Sequence, residues 1–132
     1  DEENLRNMHE ALQNVTIVCG DYTLARDFID DKTFVYLDPP YRPISSTSMF
    51  TAYNGDIFDD NEQIRLARFI DEISAAGAKI VLSNSDPKNI NEEDNFFEEL
   101  YQNYKINHVQ ATRAINSKGD KRGKISELLI CN

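Results

Sequence analysis

Cysteine, histidine, glycine and basic side chains are all scarce in this chain, and each shortage narrows what it can be. The two cysteines, Cys19 and Cys131, each end an apolar run. They are expected to be buried, reduced thiols of a cytoplasmic protein. His9 and His108 are the only histidines and lie far apart in sequence. No His/Cys cluster has metal-ligand spacing, so no metal is expected. Five glycines, at 20, 55, 77, 119 and 123, never fall in Gly-x-Gly spacing. No apolar run approaches the roughly 18–20 residues needed to cross a membrane. The first ten residues, DEENLRNMHE, are charged and helical in pattern, so no signal peptide is expected. They lack an initiator Met, so the sequence is expected to start inside a longer protein. With 14 Lys and Arg against 23 Asp and Glu, the net charge is −9. Taken alone, that argues against a nucleic-acid partner, because phosphate contacts need cations.

What is present is globular. The hydrophobic fraction is 40%, with 7 Phe and 6 Tyr, in 132 residues. That is enough for one domain around one core. Leu5, Met8, His9 and Leu12 recur at helical spacing over residues 3–13. The β-branched run Val15–Cys19 reads as a buried strand, and residues 22–29 as a short helix. TFVYL, residues 33–37, is a second strand. It is cut by Asp38-Pro39-Pro40, because proline cannot continue an interior strand. Residues 42–58 show no clear period, and a loop of that length in a compact domain is usually functional or disordered. Asp60 with Gln63 resembles a capping box. The helix it would open carries Leu66, Phe69, Ile70 and Ile73 as its apolar stripe, with Gly77 as C-terminal cap.

AKIVL, residues 78–82, is a third strand, followed by a polar turn from Ser83 to Pro87. Phe96, Phe97, Leu100 and Tyr101 mark another helix. Two strands, about 104–113 and 124–131, are joined closely enough that they must pair antiparallel. Strands alternating with helices imply an α/β fold with a mostly parallel sheet, closed by an antiparallel hairpin. The cations are gathered between those last two strands. Arg113, Lys118, Lys121, Arg122 and Lys124 share twelve residues with one acid, Asp120.

Asp38-Pro39-Pro40-Tyr41 occupies the carboxyl end of a strand, where open α/β sheets bind ligands. An Asp-Pro-Pro-Tyr tetrapeptide in that setting matches the motif of amino-group methyltransferases, and the residue types suit that chemistry. The lone pair of an exocyclic amine is delocalised into its ring, so the nitrogen is a poor nucleophile. A carboxylate and a carbonyl accepting its two N–H bonds would draw it toward tetrahedral geometry and stabilise the developing positive charge. Asp38 can supply the carboxylate. Pro39 can supply the carbonyl, held by the fixed φ of two consecutive prolines. Such preorganised electrostatics is usually a large catalytic effect. Tyr41 would stack on a base swung out of the duplex, offsetting part of the unstacking cost. Read blandly, Asp38 caps a turn and Tyr41 fills the core, which leaves the two prolines unexplained.

Beyond the tetrapeptide, most of the chain resembles the Dam-type N6-adenine DNA methyltransferases, alpha group. CGDY (Cys19–Tyr22) is similar to that family's third motif. SMFTAYNGDIFDDNEQIRLA (Ser48–Ala67) resembles the segment after the catalytic loop, KIVLSNSD (Lys79–Asp86) the next strand and turn, and RAINSKGDKRGKISELLICN (Arg113–Asn132) the closing hairpin. The resemblance implies S-adenosyl-L-methionine as methyl donor, with Asp21, Tyr22, Asp38 and Phe50 about its pocket and Tyr53 nearby. It implies a catalytic set of Asp38, Pro39, Pro40 and Tyr41. It also implies double-stranded DNA as partner, approached by the hairpin turn. Arg42, Arg113, Lys118, Lys121, Arg122 and Lys124 are the candidate DNA contacts.

The departure from the family is large. Its Phe-x-Gly-x-Gly donor loop has no counterpart here. The expectation is therefore a single-domain piece, residues 1–132, forming the C-terminal part of a class I (Rossmann-like) catalytic domain. The donor motif and the target-recognition domain would lie outside it, along with much of the basic surface. Such a piece is expected to be inactive alone. Two alternatives remain at this stage. One is an RNA or protein amino-group methyltransferase, disfavoured because those families more often begin the tetrapeptide with Asn. The other is a non-catalytic assembly module, whose exposed sheet edge would drive self-association.

Overall fold

The computed structural model describes residues 1–43, 58–112 and 124–132. Their centre is a four-stranded sheet in the order β1-β2-β4-β3. The strands are β1 (Phe34–Leu37), β2 (Lys79–Ser85), β3 (Lys105–Thr112) and β4 (Lys124–Cys131). β1 and β2 run parallel, with Leu37 opposite Leu82. β4 lies antiparallel to both β2 and β3, and the β3–β4 hairpin is in register from Lys105↔Cys131 to Thr112↔Lys124. The architecture is thus mixed α/β. Parallel pairing among the described strands is confined to β1–β2, less than the mostly parallel sheet expected. The shortfall comes from Val15–Cys19, whose backbone forms no strand here. β propensity alone does not make a strand without a neighbour to complete its ladder. Val15, Ile17 and Val18 are exposed, and Cys19, expected to be buried, is an exposed free thiol.

Helix α2 (Asp60–Ala75) connects β1 to β2 and covers one face of the sheet. Its Leu66, Phe69, Ile70 and Ile73 pack with Ile80, Leu82, Leu128 and Ile130, and with Phe97 and Tyr101. Phe97 belongs to the short helix α3 (Phe96–Leu100). The cap of α2 is Asp59, not the expected Asp60: its carboxylate accepts the Glu62 N–H at 3.0 Å. Gln63 is no capping-box partner either, because its side chain turns inward and is fully buried. At the other end Gly77 adopts φ +98° and donates its N–H to Ser74 O. This left-handed residue turns the chain into β2, and Asp31 packs against it.

Helix α1 (Glu2–Ala11) forms where its composition predicts. Asp1 caps it, Glu2 and Glu3 lie in the first turn and His9 in the last, all complementing the helix dipole. Its apolar stripe, Leu5 and Met8 with Leu12 just beyond, is exposed. Residues Tyr22–Phe28 form a 3-10 helix rather than an α-helix. No helix among the described residues is long and apolar enough to cross a membrane.

Candidate active site

β1 ends at Leu37, and the two prolines force the chain out of the sheet. Its parallel neighbour β2 does not end there. Ser83–Ser85, the first part of the turn expected from Ser83 to Pro87, are the last three residues of the strand, and Ser83, Asn84, Ser85 and Asp86 are all at most 4% exposed. Ser83–Ser85 stay in the sheet because β4 runs on beside them, from Ser83↔Leu129 to Ser85↔Glu127, after β1 has ended opposite Leu82. They stay buried because each finds polar partners, several of them on the departing loop.

The loop is held at four points. Ser83 Oγ donates to Asp38 Oδ1 at 2.9 Å, and Tyr36 OH donates to Ser83 Oγ at 3.3 Å. Gln63 Nε2 donates to Pro40 O at 3.1 Å. Asn84 Oδ1 accepts the Arg42 N–H at 3.0 Å, while Asn84 Nδ2 donates to Gln63 Oε1 at 3.1 Å. Ser85 Oγ donates to Arg42 O at 2.7 Å.

Asp38, Pro39 and Pro40 line a cleft of about 710 Å³, together with Gly20, Asp21, Tyr22, Phe58 and Arg65. Residues separated by one strand in the sequence are thus brought to a common cavity, including three expected at a donor pocket: Asp21, Tyr22 and Asp38. Asp21 itself is fully engaged within the protein. It accepts the N–H and hydroxyl of Thr23, capping the 3-10 helix, and both Nη atoms of Arg65 at 2.9 Å. Thr23 first, then Arg65, holds its carboxyl down at about 2. Arg65 also lies over the Tyr22 ring, 4.9 Å from its centroid, and Tyr22 packs on Phe69 at 5.4 Å. Tyr41 follows the prolines half-buried, and that burial raises the pKa of its hydroxyl.

Arg42, expected to meet DNA, is engaged within the protein. Its guanidinium bonds Asp60 through Nε at 2.7 Å and Nη2 at 3.0 Å, and Asp94 through Nη1 at 2.8 Å. It stacks 4.2 Å from the centroid of Phe96, and its side chain is 17% exposed. The residue expected at a phosphate thus forms an internal tie between the loop, the start of α2 and the residues before α3. Two acids 34 residues apart converge on it, and nothing in the sequence marks that pairing.

At the far end of β2, buried Asp86 bonds His108 Nδ1 on β3 at 2.9 Å. Burial alone would raise its pKa. Hydrogen bonds from Ser126, His108 and the Lys88 N–H outweigh that and lower it. Among the described residues, no cluster of His, Cys, Asp and Glu is arranged to hold a metal. Phe50, Tyr53, Arg113, Lys118, Lys121 and Arg122 lie outside the described residues, and of Lys124 only the backbone, at the start of β4, is described.

The sequence does not mark Gln63, Arg65, Ser83, Asn84 or Ser85 as site residues; it offers Gln63 only as a capping-box partner and Ser83–Ser85 only as part of a turn. One signal was available for Gln63: it falls at i−3, i−7 and i−10 from Leu66, Ile70 and Ile73, a polar residue inside an apolar stripe.

A strand-end carboxylate followed by two prolines, facing a cleft of ligand size, defines a binding site of the α/β class. The chain belongs to the D12 class N6 adenine-specific DNA methyltransferases, whose family model matches residues 1–115. It is 47% identical, over its whole length, to the type II methyltransferase M.MjaIII of Methanocaldococcus jannaschii, covering 44% of that protein. It is 36% identical over its whole length to M1.LlaDCHI of Lactococcus lactis subsp. cremoris, covering 45%. It is 34% identical over 97% of its length to the DNA adenine methylase of Escherichia coli K12, covering 44%. The chain therefore spans less than half the length of these curated relatives.

Proposed function

We propose that the protein carrying this chain transfers a methyl group to the exocyclic N6 of adenine in double-stranded DNA, in a restriction–modification or Dam-like system. This chain would contribute the catalytic loop. The observation that carries the reading is Asp38-Pro39-Pro40-Tyr41 at the carboxyl end of β1, with the Asp38 carboxylate bonded to Ser83 and facing the cleft. Asp38 Oδ2, which Ser83 leaves free, and the Pro39 carbonyl are the acceptors for the two N–H bonds of the target amine. They concentrate electron density on nitrogen and stabilise its positive charge as the new N–C bond forms. Tyr41 stacks on the extruded base. Arg113, Lys118, Lys121, Arg122 and Lys124 would meet phosphates.

The cleft fits a methyl donor in part. Its volume lies in the range of cofactor sites, and Tyr22 and Phe58 give it aromatic walls. Asp21, whose carboxylate already serves Arg65 and Thr23, is better suited to shaping that wall than to bonding the donor. S-adenosyl-L-methionine, when bound, supplies the methyl group. On this reading the chain is the C-terminal part of a class I catalytic domain and is inactive alone. Micromolar donor binding to the isolated chain by calorimetry would overturn that part.

The test of the reading is methylation of adenine-containing duplex by the full-length enzyme with labelled donor. Replacing Asp38 by Ala should lower kcat roughly 100- to 1000-fold, the range for removing one preorganised electrostatic group. Normal turnover by that variant would refute the mechanism.

A second reading has its own observation. Ile17, Phe28 and Phe34 are each at least 66% exposed, and β1 is an edge strand among the described strands. On that reading the chain is an assembly module that self-associates through this edge. Sedimentation of the isolated chain distinguishes a monomer from a concentration-dependent dimer.

A further inference from the structure

Burying a polar side chain costs free energy unless hydrogen bonds replace water. Gln63 and Asn84 are 0% exposed and Ser85 is 4% exposed, so each needs a compensating partner. Among the described residues, none of the three has a buried side-chain atom without one. Their partners form one chain of bonds. Asn84 joins Gln63, Gln63 reaches the Pro40 carbonyl, Asn84 receives the Arg42 N–H, and Ser85 reaches the Arg42 carbonyl.

The backbone atoms chosen are informative. The Pro40 carbonyl belongs to the peptide plane before Tyr41, and the Arg42 N–H to the plane after it. Fixing both planes fixes φ and ψ of Tyr41, the only residue of the tetrapeptide's second half whose φ is not already set by a proline ring. A network serving only the core would be satisfied by core partners. This one spends its bonds on three successive peptide planes of the loop, from α2 on one side and β2 on the other.

We infer that Gln63, Asn84 and Ser85 are positioning residues for methyl transfer: a buried clamp that sets the backbone of Pro40–Arg42 and so the orientation of Tyr41 toward the target base. None of the three lines the cleft, so they act through the loop and not on substrate. The inference rests on the methyltransferase reading above. It adds the residues that make the loop competent. A misplacement of about 1 Å in a catalytic group can cost on the order of 100-fold in rate. A single buried bond therefore has leverage on kcat out of proportion to its effect on folding.

The test uses the full-length enzyme with a duplex substrate and labelled donor, measuring kcat, KM for duplex, donor affinity and Tm. Three variants are compared. Gln63→Met keeps the volume and removes both bonds. Ser85→Ala removes only the bond to the Arg42 carbonyl. Ile73→Val perturbs the same helix in the core, away from the loop. Gln63→Met should lower kcat roughly 100-fold with donor affinity unchanged, and Ser85→Ala roughly 10-fold. Ile73→Val should lower Tm with kcat per folded molecule intact. A purely structural network gives the opposite split: lower Tm in all three variants and normal kcat in whatever folds. Gln63→Met and Ser85→Ala turning over within about two-fold of wild type would overturn the clamp. If Gln63→Met does not fold, Ser85→Ala decides alone, because losing one hydroxyl leaves the Gln63–Asn84 bond in place. A wild-type enzyme that methylates no adenine overturns the methyltransferase reading and this inference with it. An active wild type with normal variants overturns only the clamp.

Discussion

Replacing Arg42 by Ala separates an internal tie from a DNA contact. The guanidinium has three partners of unequal weight. Asp60 is about half exposed, so its two bonds contribute little beyond a surface pair, ~0.5 kcal/mol. Asp94 is more sheltered, at 26%, and ~1 kcal/mol is a fair figure for a partly buried charged hydrogen bond. The stack on Phe96 at 4.2 Å adds ~1 kcal/mol. Arg42→Ala should therefore destabilise the fold by about 2–3 kcal/mol at neutral pH. Arg42→Lys, which keeps the charge but neither the fork nor the planar stack, should lose about half of that.

The loss should depend on pH with a definite sign. Burial pushes the Asp94 carboxyl up, but Arg42 outweighs it, so the folded pKa lies below the ordinary 3.8. A depressed folded pKa contributes stability above 3.8 that disappears as pH falls through the folded value. Without Arg42 the burial effect is opposed only by the Phe96 N–H and by Lys88, so the depression shrinks. The gap between wild type and Arg42→Ala should be widest at pH 7 and should narrow below pH 4. Urea unfolding at the two pH values measures it. The salt dependence of duplex binding by the full-length enzyme is the complementary readout. A phosphate contact adds about 0.9 to the slope of log K against log salt. An unchanged slope with lowered stability supports the tie. A slope reduced by about one unit with stability intact would refute it and return Arg42 to the DNA surface.

Three further outcomes follow from the fold. Gly77→Ala should cost about 2 kcal/mol by thermal or urea unfolding, because φ +98° is strained for any L side chain and its Cβ would sit 2.8 Å from Asp31 Cβ and 3.1 Å from Asp31 Cα. Leu82→Ala, at 0% exposure in the central strand, should cost about 3–4 kcal/mol; a loss under 1 kcal/mol would mean the core is packed otherwise. The Asp21 carboxyl should titrate by NMR near pH 2, its contribution to stability present above 3.8 and fading as pH falls toward 2. Thr23→Val should move that midpoint up, and Arg65→Ala should do so to a smaller degree, since Thr23 supplies the larger share of the depression.

What the sequence disclosed and what it hid divide along a physical line. The apolar stripe of α2, the β3–β4 hairpin and the Asp-Pro-Pro-Tyr loop were legible because each is decided by neighbours within a few residues: a 3.6-residue period, a short connection, two fixed φ angles. The failures concern features whose partners lie far along the chain. Ser83-Asn84-Ser85 has the composition of a turn and is a strand, because Leu37, Asp38 and Arg42, more than 40 residues earlier, accept or donate the bonds that let it be buried. Val15–Cys19 has the composition of a strand and is not one, because no described strand pairs with it. Arg42 has the look of a free cation and is held by Asp60 and Asp94. In each case local propensity was overruled by whether a distant partner was present. The same argument accounts for which parts of the site were missed. Residues proposed to touch a substrate, such as Asp38 and Tyr41, are suggested by their own chemistry. Residues that hold them in place are recognisable only from what they hold, and Gln63 and Asn84 acquire meaning only when Pro40 and Arg42 are seen at the other end of their hydrogen bonds.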